Sequence, residues 1–66
     1  TDPRSHRMQS ATEESIARIQ AMIDAGYTGT LGSEFRIVHE VRRMFGRAGV
    51  REAHRLIAAR NAAGLA

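Results

Sequence analysis

The chain has 66 residues, no cysteine and a net charge of +3, with ten arginines and no lysine. A chain this short buries only about 60% of the surface that it exposes when unfolded, so we expect association with another chain to add stability. The cysteine-free composition excludes a disulfide framework and a thiolate metal site, and no apolar run approaches the roughly 20 residues that cross a bilayer. The expected setting is the cytoplasm, without membrane contact.

Residues 1–9 are polar and aperiodic, and they contain the only proline, Pro3. This composition predicts a disordered N-terminal arm, or a cloning remnant that precedes a natural start at Met8. A functional alternative is a basic arm that places Arg4, His6 and Arg7 in a nucleic-acid groove. Residues 10–66 are predicted to form the folded domain.

Three stretches with helical periodicity follow, near residues 12–25, 34–45 and 50–63. Helix 1 should begin near Ser10 or Thr12, where Ser10 and Glu13 have the spacing of a capping box, and it should end at Gly26. Ser33 is the expected N-cap of helix 2, and Gly64 the expected stop of helix 3. The predicted fold is all-α: a small three-helix domain in which a short glycine-containing turn, residues 46–49, joins helices 2 and 3 as in a helix-turn-helix motif.

Each predicted helix has one apolar face, which should form the core. The faces consist of Thr12, Ile16, Ile19, Met22 and Ile23 in helix 1; Ile37, Val38, Val41, Met44 and Phe45 in helix 2; and Val50, Ala53, Leu56 and Ile57 in helix 3. Arg60 falls near the apolar side of helix 3, so we expect it to reach solvent or to pair with an acid such as Asp24 or Glu34.

Residues 35–61 contain seven of the ten arginines and only two glutamates, a local charge of 7 − 2 = +5. Arginine can donate two hydrogen bonds to guanine, and asparagine can pair with adenine. We therefore expect a nucleic-acid-binding surface, with helix 3 reading a DNA duplex and the preceding arginines holding phosphates, as in a DNA-binding transcription regulator. The predicted contact residues are Arg36, Arg42, Arg43, Arg47, Arg51, His54, Arg55 and Asn61. On helix 3 we expect an outward strip that is free of acid, formed by Arg51, His54, Arg55, Ala58 and Asn61.

A protein-interaction module is the alternative function. Tyr27, Leu31 and Phe35 are large residues that either cover the core or form a subunit contact, and the arginines would then face an acidic protein. A homo-oligomer, most simply a two-fold dimer, is expected in either case.

The sequence favours neither an enzyme nor a metal or cofactor site. His39 and His54 lie on different predicted helices without a cysteine nearby, which disfavours zinc. The glycines of residues 26–32 match no phosphate-binding motif, and a small-molecule substrate is not expected. We expect no catalytic residue, because no titratable groups converge in the predicted domain.

Overall fold

The computed structural model describes residues 12–64, and these residues form two helices and no strand. Helix α1 covers Glu13–Gly26 and helix α2 covers Leu31–Ala62. The all-α class predicted from the sequence is confirmed for this part of the chain. The predicted disordered segment of residues 1–9 and the predicted capping residue Ser10 lie outside the described residues.

The prediction of three separate helices is wrong, because the residues assigned to helices 2 and 3 belong to the single element α2. Only Gly46 departs from helical geometry within it, with φ 76° and ψ −159°. That combination lies in a region of backbone space that is essentially restricted to glycine. Gly49, expected in the turn, is helical and buried instead. The helix-turn-helix-like connection is not confirmed, since a one-residue break takes the place of the four-residue turn.

The break at Gly46 divides α2 into an N-terminal arm, residues 31–45, and a C-terminal arm, residues 47–62. A straight helix of 32 residues would be about 48 Å long, whereas the longest dimension of the molecule is 39 Å. The carboxylate of Glu34 lies 3.5 Å from Nδ1 of His54, although twenty residues (54 − 34 = 20) would place them about 30 Å apart along a straight helix. The C-terminal arm therefore runs back along the N-terminal arm.

The N-caps of the two helices are threonines. Thr12 Oγ1 accepts the backbone N–H of Ser15 at 3.0 Å at the start of α1, which ends at Gly26 as predicted. Thr30 caps α2 and accepts the backbone N–H of Ser33 at 3.1 Å. The prediction that Ser33 is the N-cap is therefore wrong by one turn, because the chain becomes helical three residues earlier at Leu31.

The core lies between α1 and the two arms of α2. Its fully enclosed members are Ile19 and Ile23 of α1, Val41 of the N-terminal arm and Ala53 of the C-terminal arm. Tyr27, Ile37 and Ile57 complete the buried set, while Met22, Val38, Phe45, Val50 and Leu56 pack partly against it. The predicted apolar faces are thus confirmed at their centres, but Met44 remains 49% exposed.

Two polar contacts hold the end of α1 against the end of α2. Arg60 Nη1 donates to Asp24 Oδ1 at 2.7 Å, which confirms one of the two acidic partners expected for Arg60. Tyr27 Oη donates to Asn61 Oδ1 at 3.2 Å. These contacts place the free end of the C-terminal arm beside the α1–α2 loop, and the bend at Gly46 therefore lies toward the start of α1.

Candidate nucleic-acid interface

All eight residues predicted to contact nucleic acid lie on α2, on both sides of Gly46. Arg36, Arg42 and Arg43 belong to the N-terminal arm, and the others belong to the C-terminal arm: Arg47, Arg51, His54, Arg55 and Asn61. Every one of these side chains is exposed. The structure separates them into two groups by what they contact within the chain.

The first group consists of His54, Arg55 and Asn61, which have partners inside the chain. His54 contacts Glu34 across the two arms, and Arg55 Nε donates to Glu52 Oε1 at 2.7 Å. The Asn61 side chain accepts the hydroxyl hydrogen of Tyr27. The outward strip of the C-terminal arm was expected to be free of acid, and that expectation is wrong, because Glu34 and Glu52 both reach it.

The Arg55–Glu52 ion pair is the strongest of these contacts electrostatically. Both the Nε and the Nη2 of Arg55 donate to the carboxylate of Glu52, whose side chain is 15% exposed. These hydrogen bonds lower the pKa of Glu52 below its ordinary value, with a smaller contribution from the positive charge itself, although burial acts in the opposite direction. The same contact raises the pKa of Arg55. Glu52 thus compensates the charge of Arg55, one of the helix 3 residues predicted to contact nucleic acid.

We expect Glu52→Gln to change how protein stability depends on pH. A lowered carboxyl pKa contributes stability that is present above the unfolded value, near 4.5, and is lost as the pH falls through the folded value. The variant lacks this contribution, so its unfolding free energy should lie below wild type at neutral pH and converge with wild type in acid. Urea denaturation at neutral and acidic pH measures the two unfolding free energies. The unfolding free energy of Arg55→Ala should likewise lie below that of wild type at neutral pH and converge with it in acid. A difference from wild type that is as large in acid as at neutral pH would contradict the Glu52–Arg55 ion pair.

The second group consists of five exposed arginines: Arg36, Arg42, Arg43, Arg47 and Arg51. None has an acidic partner within 4.0 Å among residues 12–64. Residues 41–51, which span the bend, contain four of them and neither aspartate nor glutamate. We call Arg43, Arg47 and Arg51 the bend cluster, because they lie within about 8 Å of Gly46 along the helix axes. Arg42 is equally near, but it follows Phe35 by seven residues and therefore lies on the same side of α2 as Phe35.

One acidic side chain near the bend, Glu14, belongs to the first turn of α1. Glu14 lines an open cleft together with Phe45, the residue that precedes Gly46. However, Glu14 is paired with Arg18 of its own helix at 3.2 Å, four residues away. The charge of Glu14 is therefore compensated within α1.

The three residues predicted to form a subunit contact are in different environments. Tyr27 is only 7% exposed and packs in the core of its own chain, so it is not placed for an intermolecular contact. Leu31 and Phe35 are 83% and 74% exposed, on successive turns of α2. The structure thus brings Leu31 and Phe35 together on one surface and separates Tyr27 from them.

Other kinds of site find little support in the described residues. Between Thr12 and Gly64, no three His, Cys, Asp or Glu side chains are grouped so that they would hold a metal ion. The clefts over this range are open at the surface, and neither helix is long and apolar enough to cross a membrane.

Comparison of the chain with protein-family models, curated proteins and solved structures gave no match. The functional interpretation therefore depends on the side chains and their surroundings alone.

Sequence reasoning missed the acids that occupy the outward strip. The Glu52–Arg55 contact was detectable, because residues three apart on a helix are neighbours. The Glu34–His54 contact was not, because it depends on how far the C-terminal arm folds back at Gly46.

Proposed function

We propose that this chain binds nucleic acid through the phosphate backbone, and that the bend cluster makes the central contacts. The observation that supports this most strongly is the division of the cations. Arg18, Arg55 and Arg60 are paired with Glu14, Glu52 and Asp24, whereas Arg43, Arg47 and Arg51 have no acidic partner among residues 12–64.

Phosphate binding requires this kind of surface. Planar guanidinium groups donate bidentate hydrogen bonds to phosphate oxygens, and their charge displaces the counterions that surround the backbone. Arg36 lies on the N-terminal arm and extends the positive surface away from the bend. Because His54, Arg55 and Asn61 are engaged within the chain, the proposed binding depends weakly on base sequence. The proposal thus keeps the DNA-binding regulatory role expected from the sequence, but with contacts to phosphates rather than to bases.

The test is the salt dependence of binding to a mixed-sequence DNA duplex, followed by fluorescence anisotropy between about 50 and 200 mM salt. Each phosphate contact contributes roughly 0.9 to the slope of log affinity against log salt concentration. The three arginines of the bend cluster should therefore give a slope near −3 or steeper. Arg43→Ala and Arg47→Ala should each reduce the steepness by about one unit.

The matched control is Glu14→Gln combined with Arg18→Gln, which removes an ion pair of α1 beside the bend without changing the net charge there. It should leave the slope unchanged. Polyglutamate should not displace the duplex at equal charge concentration if the recognised group is phosphate. A chain that binds no duplex at low salt, or for which Arg43→Ala and the Glu14→Gln/Arg18→Gln control have the same slope, would contradict the proposal.

A second candidate function is supported by a different surface. Leu31 and Phe35 are the two most exposed large apolar side chains of the described residues, and such residues side by side are typical of protein–protein contacts. In this alternative the arginines face an acidic protein. This alternative is favoured if polyglutamate displaces the bound duplex as well as competitor DNA does.

A further inference from the structure

We infer that the ring of Phe35 stacks on an unpaired base, so that the outer face of the N-terminal arm of α2 binds single-stranded nucleic acid. The outer face is the side of this arm that lies within about 80° of Phe35 around the helix axis. Besides Phe35 it carries Leu31, Val38, His39, Arg42 and Arg43. The inference rests on the proposed phosphate binding at the bend cluster and adds to it a contact with a base.

Phe35 is uncovered and lies opposite the core side of its arm. That side is centred on Ile37 and Val41, which are 6% and 0% exposed. At 100° per residue, Phe35 lies about 140° from its middle, and Phe35 is 74% exposed. The other phenyl and phenol rings among residues 12–64 belong to Tyr27, which is buried, and Phe45, which is half-buried. Phe35 is therefore the ring of this part of the chain that a flat ligand can reach.

The outer face is positively charged. It includes Arg42 and Arg43, neither of which has an acidic partner within 4.0 Å among residues 12–64. No aspartate or glutamate of the arm falls on this face, because Glu34 and Glu40 lie about 100° and 140° from Phe35 around the axis. The carboxylate of Glu34 contacts the C-terminal arm instead. The outer face therefore favours an anionic ligand.

The outer face is continuous with the bend cluster. Arg42 follows Phe35 by seven residues (42 − 35 = 7), and lies about 10 Å further along the axis and about 20° from it around the helix. Gly46 lies about 16 Å beyond Phe35 along the same axis. That distance is about five nucleotides at the 3.4 Å spacing of a stacked strand. A strand whose phosphates contact Arg43 and Arg47 can therefore place one of its bases on Phe35.

Single-stranded nucleic acid has the chemistry that this face matches. Its phosphates supply regularly spaced negative charge, and its unpaired bases expose flat π-faces that stack on aromatic side chains and on guanidinium groups. In a duplex those π-faces are covered by neighbouring base pairs, so only phosphates and base edges remain accessible. An acidic peptide supplies negative charge without a row of rings. The combination of Phe35 with Arg42 therefore favours an unpaired base.

The test compares an oligothymidylate of about 12 nucleotides with a strand of equal length that lacks every base. Wild type should prefer the strand with bases by roughly 5-fold to 150-fold, which is the effect of one stacked base. Phe35→Leu keeps an apolar side chain but removes the ring, so it should abolish this preference. The same loss should occur on oligouridylate, because stacking uses the face of the base and not the sugar.

Salt separates stacking from the phosphate contacts. Each phosphate contact on a single strand contributes roughly 0.7 to the slope of log affinity against log salt concentration, whereas stacking releases no counterion. The ratio of wild-type to Phe35→Leu affinity for oligothymidylate should therefore stay constant between about 50 and 200 mM salt. A mixed-sequence duplex should bind wild type and Phe35→Leu equally, because its bases are paired.

Two further variants control for folding and for general apolar contact. Phe35→Trp keeps an aromatic ring, and the sequence has no other tryptophan, so its fluorescence reports on this position alone. That fluorescence should be quenched by oligothymidylate and not by the strand without bases. Leu31→Ala removes an exposed aliphatic side chain one turn away and should leave the preference for bases unchanged. All three variants should keep the circular dichroism of wild type, since both positions are exposed.

Two results would overturn the inference and leave the proposed phosphate binding intact. The first is equal affinity of wild type for oligothymidylate and for the strand without bases. The second is an equal loss of affinity for oligothymidylate in Phe35→Leu and Leu31→Ala, which would indicate the general apolar contact that a protein partner makes. The proposed function fails separately, if duplex binding at low salt is absent or does not respond to Arg43→Ala.

Discussion

Gly49→Ala is expected to destabilise the protein by about 1–3 kcal/mol or more, because the core has no space for the added methyl group. A Cβ at this position would lie 2.5 Å from Cβ of Phe45 and 3.0 Å from Cγ1 of Val41. Neither atom is at the end of a flexible side chain, so the C-terminal arm must move away from the N-terminal arm. Urea denaturation of the variant measures the change.

Two other glycines of α2 provide controls for this prediction. Gly32 is helical and its Cβ would meet nothing within 4 Å, so Gly32→Ala should stabilise by about 0.5–1 kcal/mol through helix propensity. Gly46 also has open space, but its φ of 76° is unfavourable for alanine, so Gly46→Ala should cost about 1–3 kcal/mol. A stabilising effect at all three positions would mean that α2 is straight in solution.

Ile23→Ala is expected to have the largest effect of any single truncation considered, about 2–5 kcal/mol. Ile23 is completely enclosed between α1 and α2, and its truncation leaves a cavity that the surrounding side chains fill only in part. Total stability for a chain of this length is about 3–10 kcal/mol, at 0.05–0.15 kcal/mol per residue. The variant should therefore lose a large fraction of the total stability.

Leu31→Ala is the matched control for the cavity prediction. Leu31 is 83% exposed, and its truncation should change the unfolding free energy by no more than about 0.5 kcal/mol when measured at low protein concentration. Thermal unfolding followed by circular dichroism compares the two variants. Equal losses at Ile23 and Leu31 would contradict the assignment of the core.

The sequence was sufficient to locate the helices and the centre of the core. The apolar periodicity identified Ile19, Ile23, Val41 and Ile57, because a helix that packs on one side shows its buried face directly in the spacing of its residues. The end of α1 at Gly26 followed from the same local signals.

The number of helices was not predictable, because it depends on a single backbone conformation. Two glycines three residues apart suggest a turn that includes both, whereas only Gly46 leaves helical geometry. Gly49 is required for a different reason, namely the close approach of the two arms. Local composition does not distinguish a glycine needed for its φ from one needed for its small size.

The candidate site could be predicted only in part, and the reason is related. The concentration of arginines between residues 35 and 61 was visible in the sequence, but their individual partners were not. Glu34 reaches His54 only because α2 folds back on itself, and Asn61 meets Tyr27 only because the helix ends converge. These long-range contacts separate the engaged residues from the bend cluster.

The most direct test of nucleic-acid binding at the bend is an NMR titration of the ¹⁵N-labelled chain with a mixed-sequence duplex at low salt. The bend cluster should give the largest amide shifts, at Arg43, Arg47 and Arg51 together with Gly46, and the shifts should disappear as salt is added. Residues at the other end of α1, such as Asp24, should remain unchanged. Shifts confined to Leu31 and Phe35, or no shifts at any residue, would contradict the proposal that this surface binds nucleic acid.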